Sequence, residues 1–207
     1  MRKEVRNFRT LTHESTGGWR LEGYPETLVP NYTDLISYME INVRSRKIDK
    51  TLVRKIDSLG RYVIERMIED EGIKAFLEVD VRFNSDMGNL GEVDLTFDDD
   101  FGQSEQSYLT VELNRNMIHE EDAILKTVAH EFVHVSQYAT GRYRQYDSGE
   151  YWLGKKISSN KPYRERPEEV EAFSKQGPLF GAWRQTNSAK HLMENKVKIC
   201  LDTCASL

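Results

Sequence analysis

Thr127-Val128-Ala129-His130-Glu131-Phe132-Val133-His134-Val135-Ser136-Gln137-Tyr138 is the stretch that decides how the rest of this chain is read. Leu125, Val128, Phe132 and Val135 recur at three and four residues, the spacing of an amphipathic helix. Upstream, Glu120-Glu121-Asp122 places three acids at the positive end of such a helix, and downstream Gly141 stands at a left-handed cap position. The spacing therefore predicts a helix between them. His130 and His134 lie one turn apart, so both imidazoles can grip one ion. Glu131 sits about 100° round the helix, too far to be an easy third ligand but able to reach a water on the ion's open side. Zinc lowers the pKa of such a water to about 7; Glu131 would take its proton during attack on a carbonyl and later pass it to the leaving amine.

Upstream of this helix the period changes. Leu52, Ile56, Leu59, Val63, Met67 and Ile68 predict a long amphipathic helix over residues 49–71, stopped near Gly72. Leu35, Ile36, Met39 and Ile41 suggest a short helix over 31–43. Between the two long helices the apolar residues alternate: Leu77, Val79, Val81 and Phe83, then Val93, Leu95 and Phe97, then Leu109, Val111 and Leu113. Three strands follow, and the short connections 84–91 and 98–107 predict an antiparallel meander with one wet face. Asp98-Asp99-Asp100 reads as a solvated turn, because it lacks the spacing of a helix-loop-helix calcium site. The order helix, strands, helix is α+β.

A catalytic zinc needs a third protein ligand. The three-His version of the motif would place Gly at 137 and His at 140, where this chain has Gln137 and Thr140. No His lies between His134 and His191, so attention turns to carboxylates. Pro167 suits a first helical turn, Gly177 its C′ position and Pro178 the residue beyond, which predicts a short helix between them. On it Glu169 shares a face with Ala172 and Phe173 and reads as the inward acid. Glu168 and Glu171 read as solvated charges, with Glu171 paired to Lys175. His191 remains the fallback ligand.

A helical His-Glu-x-x-His followed some tens of residues later by a Glu with Ala three residues on resembles the gluzincin branch of zinc metallopeptidases. The likeness extends to small gluzincin-like proteins of bacteriophages through His130 to Gly141, Trp152-Leu153-Gly154, Tyr163 and Pro167-Glu168-Glu169-Val170-Glu171-Ala172. It covers roughly residues 109–177. The resemblance implies a minimal zincin-like core: a long N-terminal helix, a small antiparallel sheet of about three strands, the motif helix and a Glu-bearing helix. It implies Zn2+ held by His130, His134 and Glu169, with Glu131 as the general base of peptide-bond hydrolysis. It also implies that the strand ahead of the motif helix, Tyr108 to Asn114, borders the cleft and can pair with an extended peptide. One of Tyr138, Tyr143, Tyr146 and Tyr163 could donate to the oxyanion, and the sequence does not choose among them.

The chain of 207 residues divides into an irregular arm (1–30), a zincin-like domain (31–177) and a tail (178–207). Its net charge of −5 supplies no broad basic face for nucleic acid, although Arg142-Tyr143-Arg144-Gln145-Tyr146 interleaves cations with aromatics. Neither a secretory leader nor a run of about 20 apolar residues is seen, and Cys200 and Cys204 are too few for a disulfide framework. A reducing, cytoplasmic setting, host cytoplasm or virion, is the expectation, with a peptide or protein substrate and no membrane. The leading rival is a non-enzymatic virion or assembly component that keeps the zinc for structure and meets partners through its arms. A DNA-associated protease is a third reading, weakened by the missing third His.

Overall fold

A computed structural model describes residues 11–13, 19–21, 39–44, 48–95 and 108–204. Its contacts divide the chain into two units, 1–37 and 38–207. In the first, β1 (Leu11–His13) pairs antiparallel with β2 (Trp19–Leu21), so part of the expected irregular arm is a strand pair.

The second unit is α+β. Its first element is β3 (Glu40–Val43), where the sequence suggests the end of a short helix. The reason lies in a second periodicity: Met39, Ile41 and Val43 also alternate, and all three pack on the core. Residues 31–38 of that expected helix lie outside the described residues. Next comes α1 (Lys50–Met67), capped by Asp49, whose carboxylate accepts from Thr51 N at 3.2 Å. Of its expected stripe, Leu52, Ile56, Leu59, Val63 and Ile68 are buried and Met67 is half-buried, and Ile64 is buried beside them. The helix stops at Met67 rather than Gly72, because Asp70 caps a separate turn, α2 (Glu71–Ala75).

The expected meander is not what forms. β4 (Glu78–Asn84), β5 (Gly91–Leu95) and β6 (Tyr108–Asn114) join β3 in one sheet of order β3-β4-β6-β5. β3 and β6 both run parallel to β4, and β5 lies antiparallel on the far side of β6. The 85–90 loop thus passes over the end of β6 instead of closing a hairpin. Asn114 holds it there, its amide donating to Met87 O (3.2 Å) and Asn89 O (2.9 Å), while Asn116 donates to Ser85 O (3.1 Å). Consequently β6 has a neighbour on each side and cannot be the substrate edge; β5 occupies the rim next to the motif helix. Nor is the outer face simply wet. Asp80 on it is fully buried, its Oδ2 taking Arg44 (2.7 Å), Arg82 (3.2 Å) and the Tyr108 hydroxyl (2.6 Å).

On the inner face Val79, Val81, Leu109, Val111 and Leu113 are fully buried. Against that side of the fold packs α3 (Glu121–Ala139), in which every residue from Thr127 to Tyr138 is buried. Gly141, at φ +71°, closes the helix as its cap position predicts. A second, three-stranded antiparallel sheet follows: β7 (Tyr143–Tyr146), β8 (Gly149–Trp152) and β9 (Lys155–Lys156).

The last element is α4 (Pro167–Cys204), which continues through Gly177 and Pro178 where the sequence predicts a stop. A proline inside a helix costs about 3 kcal/mol through its missing N–H and a steric clash. Tertiary packing offsets it here. Phe180 and Trp183, stacked at 6.0 Å, are buried, and Trp183 Nε1 donates to Ser58 Oγ of α1 at 3.2 Å. Burying two large aromatics stabilises by several kcal/mol, enough to carry the helix past its own punctuation.

Candidate metal centre

Two helices build the site. α3 is buried almost all round, so His130, Glu131 and His134 have no solvent to turn to. The first turns of α4 cross it, with Ala172 fully buried at the contact, and bring Glu169 to the two imidazoles. Glu150 of β8 anchors the start of α4 through Arg166 (3.0 and 3.2 Å).

His130 Nε2 and His134 Nε2 lie 3.2 Å apart. Each is 3.3 Å from a different oxygen of Glu169, His130 from Oε2 and His134 from Oε1. On the far side of each ring, Nδ1 meets an amide oxygen: His134 that of Gln137 at 2.8 Å, His130 that of Gln176 at 3.1 Å. An amide oxygen only accepts, so both Nδ1 atoms donate, and in the neutral imidazoles both Nε2 lone pairs point at the carboxylate. Acceptors therefore face acceptors, and Glu169 Oε2 is buried without a hydrogen-bond partner. A positive charge resolves that arrangement, either a proton on an imidazole, since burial lowers the pKa of His134 but its hydrogen bond with Glu169 and the charges of Glu131 and Glu169 raise it, or a metal ion shared by all three. Two imidazole nitrogens and a carboxylate are a zinc donor set, and a tetrahedron with bonds of about 2.0–2.1 Å has an edge of about 3.3 Å. Among the described residues, these three are the group of His, Cys, Asp and Glu able to share a metal ion.

Glu131 stands beside this set and outside it. Its Oε1 lies against the backbone of Gly91 at the start of β5, where even a Cβ would come within 2.8 Å. Burial pushes its carboxyl up to about 7, opposed by the charges of His134 and His130. Glu169 goes the other way: burial would raise it, but its interactions with His130 and His134 bring it down to about 2. One buried acid thus titrates near neutrality while its neighbour is ionised there.

Of the four candidate tyrosines, Tyr163 is the one at the site. It is half exposed, interacts through its hydroxyl with Glu169 and edges onto Phe173, which in turn packs on the His130 ring at 4.7 Å. Burial raises its pKa, as does the hydrogen bond with Glu169. Tyr138 and Tyr143 are buried against each other at 4.9 Å, with the Tyr143 hydroxyl donating to Glu150, and Tyr146 is exposed on β7 beside Tyr151.

Two acids expected in solvent are elsewhere. Glu168 is buried, because Gln137 Nε2 donates to its backbone carbonyl (3.0 Å) and holds this turn against α3. Glu171 turns away from Lys175 to take Gln137 Nε2 (2.8 Å) and Arg142 Nη1 (2.6 Å). The side chains of His191, Cys200 and Cys204 and the Asp98–Asp100 turn lie outside the described residues. Sequence reasoning passed over Gln137, Gln176 and Gly91. The available signal was Gln137 itself, a polar residue within an otherwise apolar run, three residues beyond His134.

Comparisons with protein-family models, with curated proteins and with solved structures found no match. Among the described residues, no helix is long and apolar enough to cross a membrane.

Proposed function

We propose that this chain is a zinc-dependent metallopeptidase of gluzincin type with a zincin-like core. One observation carries the reading: His130, His134 and Glu169 converge from two helices while Glu131, adjacent to His130 in sequence, stays outside the donor set. His130 Nε2, His134 Nε2 and the Glu169 carboxylate would hold Zn2+, which when bound supplies Lewis-acid activation of a water and of a scissile carbonyl. Glu131 takes a proton from the attacking water and delivers it to the departing amine, a task for which a pKa of about 7 is suited. Tyr163 donates from the open side of the site to the developing oxyanion. The rim strand β5 has β6 on one side only among the described residues, so an extended peptide can pair with it next to Glu131.

A second reading has its own support. His130, Glu131, His134 and Glu169 are each 9% exposed or less, and structural zinc sites are closed. In that case the chain is a non-enzymatic virion or assembly component whose metal ties α3 to α4. Metal analysis of the untagged protein beside Glu169→Ala and Glu131→Gln, with a peptide-cleavage assay, separates the readings. The peptidase requires about one zinc per chain, weakened in Glu169→Ala, with Glu131→Gln keeping zinc and losing cleavage. Full cleavage by Glu131→Gln refutes the general base, and zinc without any cleavage favours the structural reading.

A further inference from the structure

Gln137 is fully buried, and both ends of its amide are spoken for. Its Nε2 donates to Glu168 O at 3.0 Å and to Glu171 Oε2 at 2.8 Å, two atoms that only accept. Its Oε1 must therefore be the atom that meets His134 Nδ1 at 2.8 Å. Glu171 is held in turn. Arg142 Nη1 lies 2.6 Å from both of its oxygens, and Arg142 is itself fixed by Nε to Thr140 Oγ1 (3.1 Å), by Nη2 to Ser136 Oγ (3.2 Å) and by the face of Trp152 at 5.8 Å.

From this string we infer that Arg142 and Glu171 are positioning residues for His134. By fixing which way the Gln137 amide points, they lock His134 in the Nδ1–H tautomer and leave its Nε2 lone pair free for a metal ion. The polarity of each link follows from the one before it. A guanidinium can only donate, so Glu171 accepts; Glu171 can only accept, so Gln137 presents NH2 to it and oxygen to His134; that oxygen can only accept, so Nδ1 carries the proton. His130 is set differently. Its partner Gln176 is half exposed, and no described acceptor fixes its Nε2. His134 is the locked ligand of the pair.

The lock has a predictable failure. In Glu171→Gln the new amide turns its oxygen to Arg142 and its NH2 to Gln137. Gln137 then gains by turning over, offering oxygen to residue 171 and NH2 to His134 Nδ1, against the loss of its bond to Glu168 O. A turned Gln137 accepts no proton from Nδ1, so the ring carries its hydrogen on Nε2, where the ion must bind. Losing the partner that orients a metal-binding His weakens metal binding by about 10–100-fold.

The inference rests on the metal-site reading for its consequence, while its first readout is independent of that reading. In the metal-free full-length protein, long-range nitrogen–proton NMR of the histidine rings reports the tautomer directly. Wild type is expected to show His134 as Nδ1–H, and Glu171→Gln to populate Nε2–H with unchanged helix content. Zinc titration against a chelator of known affinity is expected to show at least tenfold weaker binding in the variant. Glu171→Asp, which keeps an ionised acceptor for Arg142 and Gln137, is expected to restore Nδ1–H. If Glu171→Gln does not fold, Gln137→Met, which leaves the Arg142–Glu171 pair in place, is expected to show the same mixed tautomers. His134 remaining Nδ1–H in the folded variant, or zinc binding as tight as in wild type, overturns the inference. A wild type that binds no zinc yet shows the tautomer change defeats the peptidase reading and leaves the string standing.

Discussion

Gly91→Ala tests whether the rim strand and Glu131, the proposed general base, are one unit. A Cβ at this position would lie 2.8 Å from Glu131 Oε1, 2.8 Å from Thr127 Cγ2 and 2.9 Å from Glu131 Cγ. Carbon contacts prefer about 3.5 Å or more, so each approach is short by roughly 0.7 Å. The carboxylate tip can swing away, but Thr127 Cγ2 is on a short, stiff β-branched side chain and cannot. Either β5, held on one side by β6, moves outward or the Glu131 side chain is displaced by most of an ångström. Overpacking of this size costs about 1–3 kcal/mol. For a chain of this length that is roughly 2–12 °C in Tm. Misplacing a catalytic base by about 1 Å lowers the rate on the order of a hundredfold. The proposed zinc donors sit on α3 and α4, so zinc content is expected to match wild type. Thermal melts, elemental analysis and kcat/KM on a peptide, measured on the same preparation, give the three readouts. A variant with wild-type Tm and wild-type kcat/KM would show that β5 does not bear on Glu131.

Further expectations concern pH and core packing. In the metal-free protein, Glu131 titrates near 4.5 unfolded and about 7 folded, so the native state holds the extra proton between those values and stability falls as pH rises through that window. The full effect is about 3 kcal/mol, and the Tm of Glu131→Gln should lack that decline. Glu169 acts oppositely: lowered to about 2, it stabilises above pH 4.5, and the contribution is lost as pH falls toward 2, an acid limb that Glu169→Gln should flatten. Trp183→Ala should cost about 3–5 kcal/mol in urea unfolding, since the indole is buried and bonded to Ser58; a change below 1 kcal/mol would mean that α4 beyond Pro178 is not part of the core.

What could be read from the sequence divides by range. The motif helix and α1 were legible because a 3.6-residue period is local, and Glu169 because Ala172 and Phe173 mark its side of α4. Strand existence was legible from alternation at Val79–Val81 and Leu109–Leu113. Strand order was not, because the bonds that send the 85–90 loop across β6 come from Asn114 and Asn116, some 25–31 residues away. Gly177 and Pro178 spelled a stop that only the later burial of Phe180 and Trp183 overrides. Glu171 looked solvated because Lys175 is its neighbour in sequence, whereas Arg142 is its neighbour in space.

The unbroken helix α4 links the candidate metal site mechanically to a distant anchor. Glu169 and Trp183 are fourteen residues apart on one rod, about 21 Å at 1.5 Å per residue. A lever of that length turns a tilt of about 3° at the tryptophan into roughly 1 Å at the carboxylate, more than the roughly 0.5 Å within which a functional site must be held. Pro178 stands between them, withholding the amide that would have closed on Ser174, so the rod is weakest where it must transmit alignment. The placement of Glu169 at one end is therefore set by its local contacts with α3 and Glu150 together with how tightly an indole is seated at the other.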